Sequence, residues 1–246
     1  MKKHFFWITL SLLLTSISVA WSKSAEELLR TSDRSRGGVS QGVVWDVAIK
    51  DIQGKSEKQT DFTVKVKGTN VLAVCTGPAR QKGETYLFND RNLWVYRPNL
   101  RKPISVSTRQ RLSGQTANGD IANTNYAKDY EAELVKEESI NGEKTQELLL
   151  KAKSKDLTYD RIRYWISVSR GVAIQAEFLT SEGKPFKRAT FTYNNKIKVG
   201  GKDEPFISEM VISESAFPDN KSILTYTNLR SQELSDSIFN VNNLSR

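Results

Sequence analysis

The chain has 246 residues, 37 of them basic and 28 acidic, with one cysteine and one histidine. A lone Cys75 excludes an intrachain disulfide, and the single histidine, His4, falls in a leader-like N-terminus. The remainder therefore has no Ser-His-Asp or Cys-His nucleophile system and no histidine metal site, and no CxxC, HExxH, GxGxxG or GxxxxGK[ST] pattern occurs.

Lys2 and Lys3 precede an apolar stretch from Phe5 to Leu14 that continues through Ile17 to Ala20, with small residues at Ala20 and Ser22. This is the pattern of a secretory signal, and the apolar run is too short for a membrane span of about 20 residues. Cleavage near Ser22 is expected, leaving residues 23–246 as a single domain with 35 basic against 28 acidic residues. Cations scattered along an exported chain argue against nucleic acid and suit an anionic lipid surface.

Ser24 followed by Ala25-Glu26-Glu27-Leu28-Leu29-Arg30 predicts a helix with a serine cap and acids in its first turn, ending near Arg36-Gly37-Gly38. The period then changes from 3.6 to 2. Val43, Trp45, Val47 and Ile49 alternate with polar or smaller residues, as do Phe62, Val64 and Val66, which predicts antiparallel strands with one apolar and one wet face. Val71–Thr76, Thr85–Phe88 and Leu93–Tyr96 are apolar on both sides, so the alternation does not fix which side turns inward. Cys75, inside the first of these, reads as a small buried hydrophobe.

Further strands are expected over residues 132–138, 146–152, 161–168, 172–180, 186–193, 207–213 and 223–229, with hairpin turns at Asn141-Gly142, Arg170-Gly171 and Glu182-Gly183. About eleven strands with short connections predict a mainly β chain, a meander curling into a barrel or half-barrel. Arg109 to Asp129 breaks the rhythm, offering only Leu112, Ile121 and Tyr126 for burial; such a stretch is a functional loop or lid, or else disordered.

Three stretches are individual: LWVYRPNLRKP at 93–103, NTNYAKDYEAEL at 123–134 and SDSIFNVNNL at 235–244. With the N-terminal helix before them, they resemble, in order and spacing, the LolA-like family of periplasmic outer-membrane lipoprotein-sorting proteins. The resemblance implies a large curved antiparallel sheet whose concave apolar face is covered by helices or a loop and shields acyl chains. It implies no cofactor and no catalysis, and as partners a lipoprotein acyl chain or lipid, with an inner-membrane transporter and an outer-membrane acceptor.

On the residues themselves, the apolar lining is expected at Trp45, Val47, Phe62, Val64 and Val66, with Trp94, Tyr96 and Trp165 as further candidates, each of which also reads as plain core. Arg97, Arg101, Lys102, Arg109 and Arg111 form a local basic cluster that suits a phosphate headgroup or an acidic partner, or simply a solvated surface. A periplasmic carrier of lipidated cargo is the leading reading. A non-catalytic sensor or accessory module for an envelope protein is the alternative, and a hydrolase resting on a carboxylate pair is the remaining one.

Overall fold

The computed structural model describes residues 23–89, 92–121 and 125–244, so the expected signal segment lies outside the described residues. Helix α1 (Ala25–Arg34) starts where the serine cap predicts, with the Ser24 hydroxyl accepting from the Glu27 N–H at 3.2 Å. Leu29 is its buried anchor.

A first run of strands follows: β1 (Val43–Gln53), β2 (Ser56–Lys67), β3 (Asn70–Gly77), β4 (Thr85–Asn89), β5 (Asn92–Tyr96) and β6 (Ile104–Val106). A crossing segment carries the short strands β7 (Arg111–Ser113) and β8 (Thr116–Ala117), a 3-10 turn at Asn118–Ile121 and the one-turn helix α2 (Tyr126–Asp129). The second run is β9 (Tyr130–Ile140), β10 (Glu143–Ala152), β11 (Arg161–Ser167), β12 (Ala173–Leu179), β13 (Pro185–Thr192), β14 (Asn195–Val199), β15 (Lys202–Phe206), β16 (Glu209–Glu214) and β17 (Lys221–Ser231).

Thirteen of these strands form one antiparallel sheet in the order β6-β5-β4-β3-β2-β1-β17-β16-β13-β12-β11-β10-β9; β14–β15 and β7–β8 are separate hairpins. The expected half-barrel is present, with more strands than the eleven expected and a different order. A plain meander would leave β1 and β17 as its edges. Here they pair along nearly their whole length, and the sheet stays open between β6 and β9. The β14–β15 hairpin escapes sequence reading because Lys202-Asp203-Glu204-Pro205 leaves β15 no apolar alternation and β14 alternates over only five residues.

Alternation assigns the two faces. Trp45, Phe62, Ala73, Tyr86, Val95, Leu148, Tyr164, Phe178, Phe191, Met210 and Tyr226 come from eleven different strands yet belong to one buried cluster that also includes Leu29 of α1. A sheet of this width joins its inner side chains into one cluster only by curling around them. The outer face has a small second core where Val44, Leu72 and Leu87 meet Leu234 and Phe239 of the C-terminal tail. Lys67 fixes that tail through the Leu234 carbonyl (3.0 Å) and Asp236 (2.7 Å).

Candidate functional site

The inner face is the largest apolar surface of the molecule, and α1 and the crossing segment close it. Trp45, Val47, Phe62, Val64 and Val66 all point into it and are sealed from solvent, with Phe62 edge-on to Tyr86 and Trp45 against Phe206. The other three aromatic candidates do not share this face. Trp94 packs under the C-terminal tail, and Tyr96, two residues on, stands on the same outer side. Trp165 also faces outward: its indole N–H donates to Glu138 at 2.7 Å, and the Arg163 guanidinium lies 4.8 Å above its ring. In doubly apolar strands the residues of the other set, Leu93, Val95, Tyr164 and Ile166, turn inward.

The stretch expected to be a lid or a disordered loop is a packed strap across the inner face. Residues 116–121 are buried throughout, which a Ser/Gly/Asn-rich segment achieves because its polar groups find partners. Three aspartates clasp it. Asp51 accepts from Ser113 and from Ser222 (2.5 Å), and Ser222 in turn accepts from the Gln115 N–H. Asp120 accepts from the Ala117 N–H at 2.8 Å and from the Tyr159 hydroxyl at 2.9 Å. Asp33, on α1, accepts from the Ala127 N–H at 2.8 Å and so ties the helix to α2. Burial pushes the Asp33 carboxyl up to about 7, with the nearby Arg36 charge opposing the rise; Asp120 is also raised by burial. Gly114 sits between the first clasp and the sheet at φ +47°, where a Cβ would overlap the Asp51 carboxylate and the Ser222 hydroxyl.

Beneath the strap lies a group the sequence reading did not single out. Arg36, 6% exposed, places its guanidinium 5.0 Å from the Tyr126 ring centroid and 5.1 Å from that of Phe191. It donates to the Tyr164 hydroxyl at 3.1 Å, and no carboxylate among the described residues lies within 4.0 Å of it. The Tyr126, Tyr193 and Tyr226 hydroxyls lie within range of its charge, and that of Tyr193 is buried beside Ser35 without a hydrogen-bond partner. The only local signal was an arginine at the helix end; tyrosines at inward positions otherwise read as core.

The five basic candidates are dispersed. Arg97 faces Glu84 at 3.5 Å and Arg109 donates to Asp160 at 2.7 Å, while Arg101 and Lys102 are exposed at the β5–β6 turn. Arg111 instead joins Lys58, Arg80 and Lys221 around a polar cleft of about 300 Å³ beside the Asp51 clasp. Sequence proximity failed here because the strap leaves the hairpin immediately after β6.

The same architecture occurs in solved structures. A LolA superfamily protein from Nitrosomonas europaea is 30% identical, with a TM-score of 0.79 over 90% of this chain and 99% of that one. The chain belongs to the LolA superfamily. A DUF1329 family protein from Desulfovibrio piger (20% identity, TM-score 0.75, 89% and 97% covered) shares the fold. So does a domain described as that of an outer membrane lipoprotein-sorting protein from Vibrio parahaemolyticus (19% identity, TM-score 0.75, 91% and 100% covered). A family model described as an uncharacterized protein matches residues 67–246, and the chain matches no curated protein.

Proposed function

We propose that residues 23–246 form a periplasmic binding domain of this superfamily that carries the acyl chains of a lipid or lipoprotein and performs no catalysis. The observation that carries this reading is the wide inner face of apolar side chains, closed by a strap that polar clasps hold rather than by a continuous strand. The name of the Vibrio parahaemolyticus relative supports the cargo class and, with the expected signal, the compartment. Trp45, Val47, Phe62, Val64 and Val66 form the acyl-facing wall.

Because these residues are sealed, cargo enters only if the strap moves. Burying a 16-carbon chain contributes up to roughly 12 kcal/mol at about 0.8 kcal/mol per methylene. Three hydrogen-bonded clasps to carboxylates contribute together about 5–9 kcal/mol. Acyl burial is of the same order as what the clasps hold, so cargo can offset the loss of the clasps. Arg101 and Lys102, exposed at the turn, suit contact with an anionic membrane or an acidic partner such as a donor transporter or an outer-membrane acceptor.

Displacement of a fluorescent fatty-acid probe tests the reading. Saturable uptake, weakened when Val64→Glu places a charge in the wall of a still-folded protein, supports it. A protein that takes up no probe contradicts it.

One observation favours a second reading, a module docked on an envelope protein. The edge strand β9 exposes Leu134 (42%) and Val135 (51%) beside unpaired backbone groups, the usual template for strand addition. Capture of a membrane partner by delipidated protein, lost on Val135→Lys, favours it.

A further inference from the structure

Arginine remains charged at every physiological pH, and a buried charge is tolerated where an opposite charge or a full set of acceptors meets it. Arg36 has neither. Tyr164 takes one of its five N–H donors, and the two aromatic faces stabilise the cation without accepting hydrogen bonds in the guanidinium plane. Both buried acids nearby are engaged elsewhere: Asp33 with the start of α2, and Asp120 with Ala117 and Tyr159. The hydroxyls of Tyr126, Tyr164, Tyr193 and Tyr226 are potential donors around the same point, and that of Tyr193 is unused. The interior thus concentrates donors around a positive charge whose nearby carboxylates, Asp33 and Asp120, lie beyond ion-pair distance and are bonded to other groups.

We infer that Arg36 and its tyrosines form an oxyanion site for the acidic head of an amphiphile, a carboxylate or a phosphate, whose chain lies along the apolar wall. This rests on the carrier reading and narrows it from any acyl chain to an acidic one. The placement supports it. Tyr164 and Phe191 lie on neighbouring parts of the inner face with Met210 and Tyr226, so a head held at Arg36 leaves its chain among apolar strands. Tyr126, which stacks on Arg36, belongs to the strap, so occupation of the site and displacement of the strap are coupled.

Competition against a fluorescent fatty-acid probe, using oleate, oleyl alcohol and lauryl phosphate on the wild-type protein and on Arg36→Met, tests the inference. Free acetate and inorganic phosphate serve as controls for the head without a chain. The expected result is that oleate and lauryl phosphate compete at least tenfold better than oleyl alcohol. Arg36→Met should abolish that preference, leaving the alcohol within about twofold of its wild-type value. Tyr193→Phe should reduce the preference severalfold while preserving the fold. Equal competition by acid and alcohol in the wild type overturns the anion site and leaves the carrier reading standing, and that comparison needs no variant. A preference unchanged in Arg36→Met also overturns it. Competition by acetate or phosphate alone, as strong as by oleate, overturns the amphiphile and makes the ligand a free anion. Failure of every amphiphile overturns the carrier reading together with the inference.

Discussion

Two arginines on opposite sides of the same sheet are handled differently. Arg163 of β11 projects outward and is met by Glu147 at 2.7 Å and Glu177 at 2.9 Å, with the Trp165 ring 4.8 Å below it. Arg36 projects inward, finds two aromatic rings at similar distance, and meets no carboxylate of the described residues within ion-pair reach. Burial is deeper on the inner side, where neutralisation matters more. The side that needs a counter-anion is the one without it, which marks the outer arrangement as structural and the inner one as reserved for something else.

The largest effect separating the two faces is expected in pH dependence. Asp33 is pushed up to about 7 by burial from an ordinary carboxylate value, so the folded protein holds a proton there that the unfolded chain releases. Its contribution is complete below about pH 4 and is lost as pH rises through 7, amounting to up to roughly 4 kcal/mol. The outer acid Glu143 is held low by Arg170 and contributes in the opposite sense, above its ordinary pKa. Denaturant titrations at pH 5 and pH 8 should show Asp33→Asn flattening the fall in stability. An unchanged slope would show that the inner carboxylate does not titrate in this range.

Replacing the two arginines sharpens the comparison next. Arg163→Met leaves Glu177 to Arg188 at 3.1 Å and Glu147 to Lys136 at 3.9 Å, and, since solvent reaches the guanidinium, a loss of about 1–2 kcal/mol is expected. Arg36→Met removes a charge without an ion-pair partner and should cost less than about 1 kcal/mol or stabilise the protein. Equal losses in chemical denaturation would erase the distinction.

Gly114→Ala should have the most local effect, about 1–2 kcal/mol, because it strains a positive-φ position and crowds the Asp51 clasp. Its consequence should be confined to the inner cover: proteolysis within residues 107–121 should accelerate while the C-terminal tail stays protected. Cleavage at both places would mean that the two covers open as a unit.

The sequence made the sheet legible because period-2 alternation survives in nearly every long strand, and Asn141-Gly142 and Glu182-Gly183 mark their turns. It did not show the β1–β17 pairing, since register between the first and last strands depends on long-range closure rather than on any local turn. Five of the eight lining candidates were placed on the inner face because their strands have one polar face. Trp94, Tyr96 and Trp165 sit in strands apolar on both sides, where size suggested the inside and the outer face took them. Arg36 and the three clasping aspartates were illegible for another reason: what distinguishes them is a missing or a distant partner, and neither is encoded next to them in the chain.

The central claim is that the inner face holds an acyl chain, and native mass spectrometry with lipid extraction, on protein purified from the periplasm without detergent, tests it most directly. The account predicts a bound mass that extracts as an acidic acylated lipid, or as the acylated peptide of a lipoprotein. A clean apo mass that stays unchanged after incubation with oleate would contradict it.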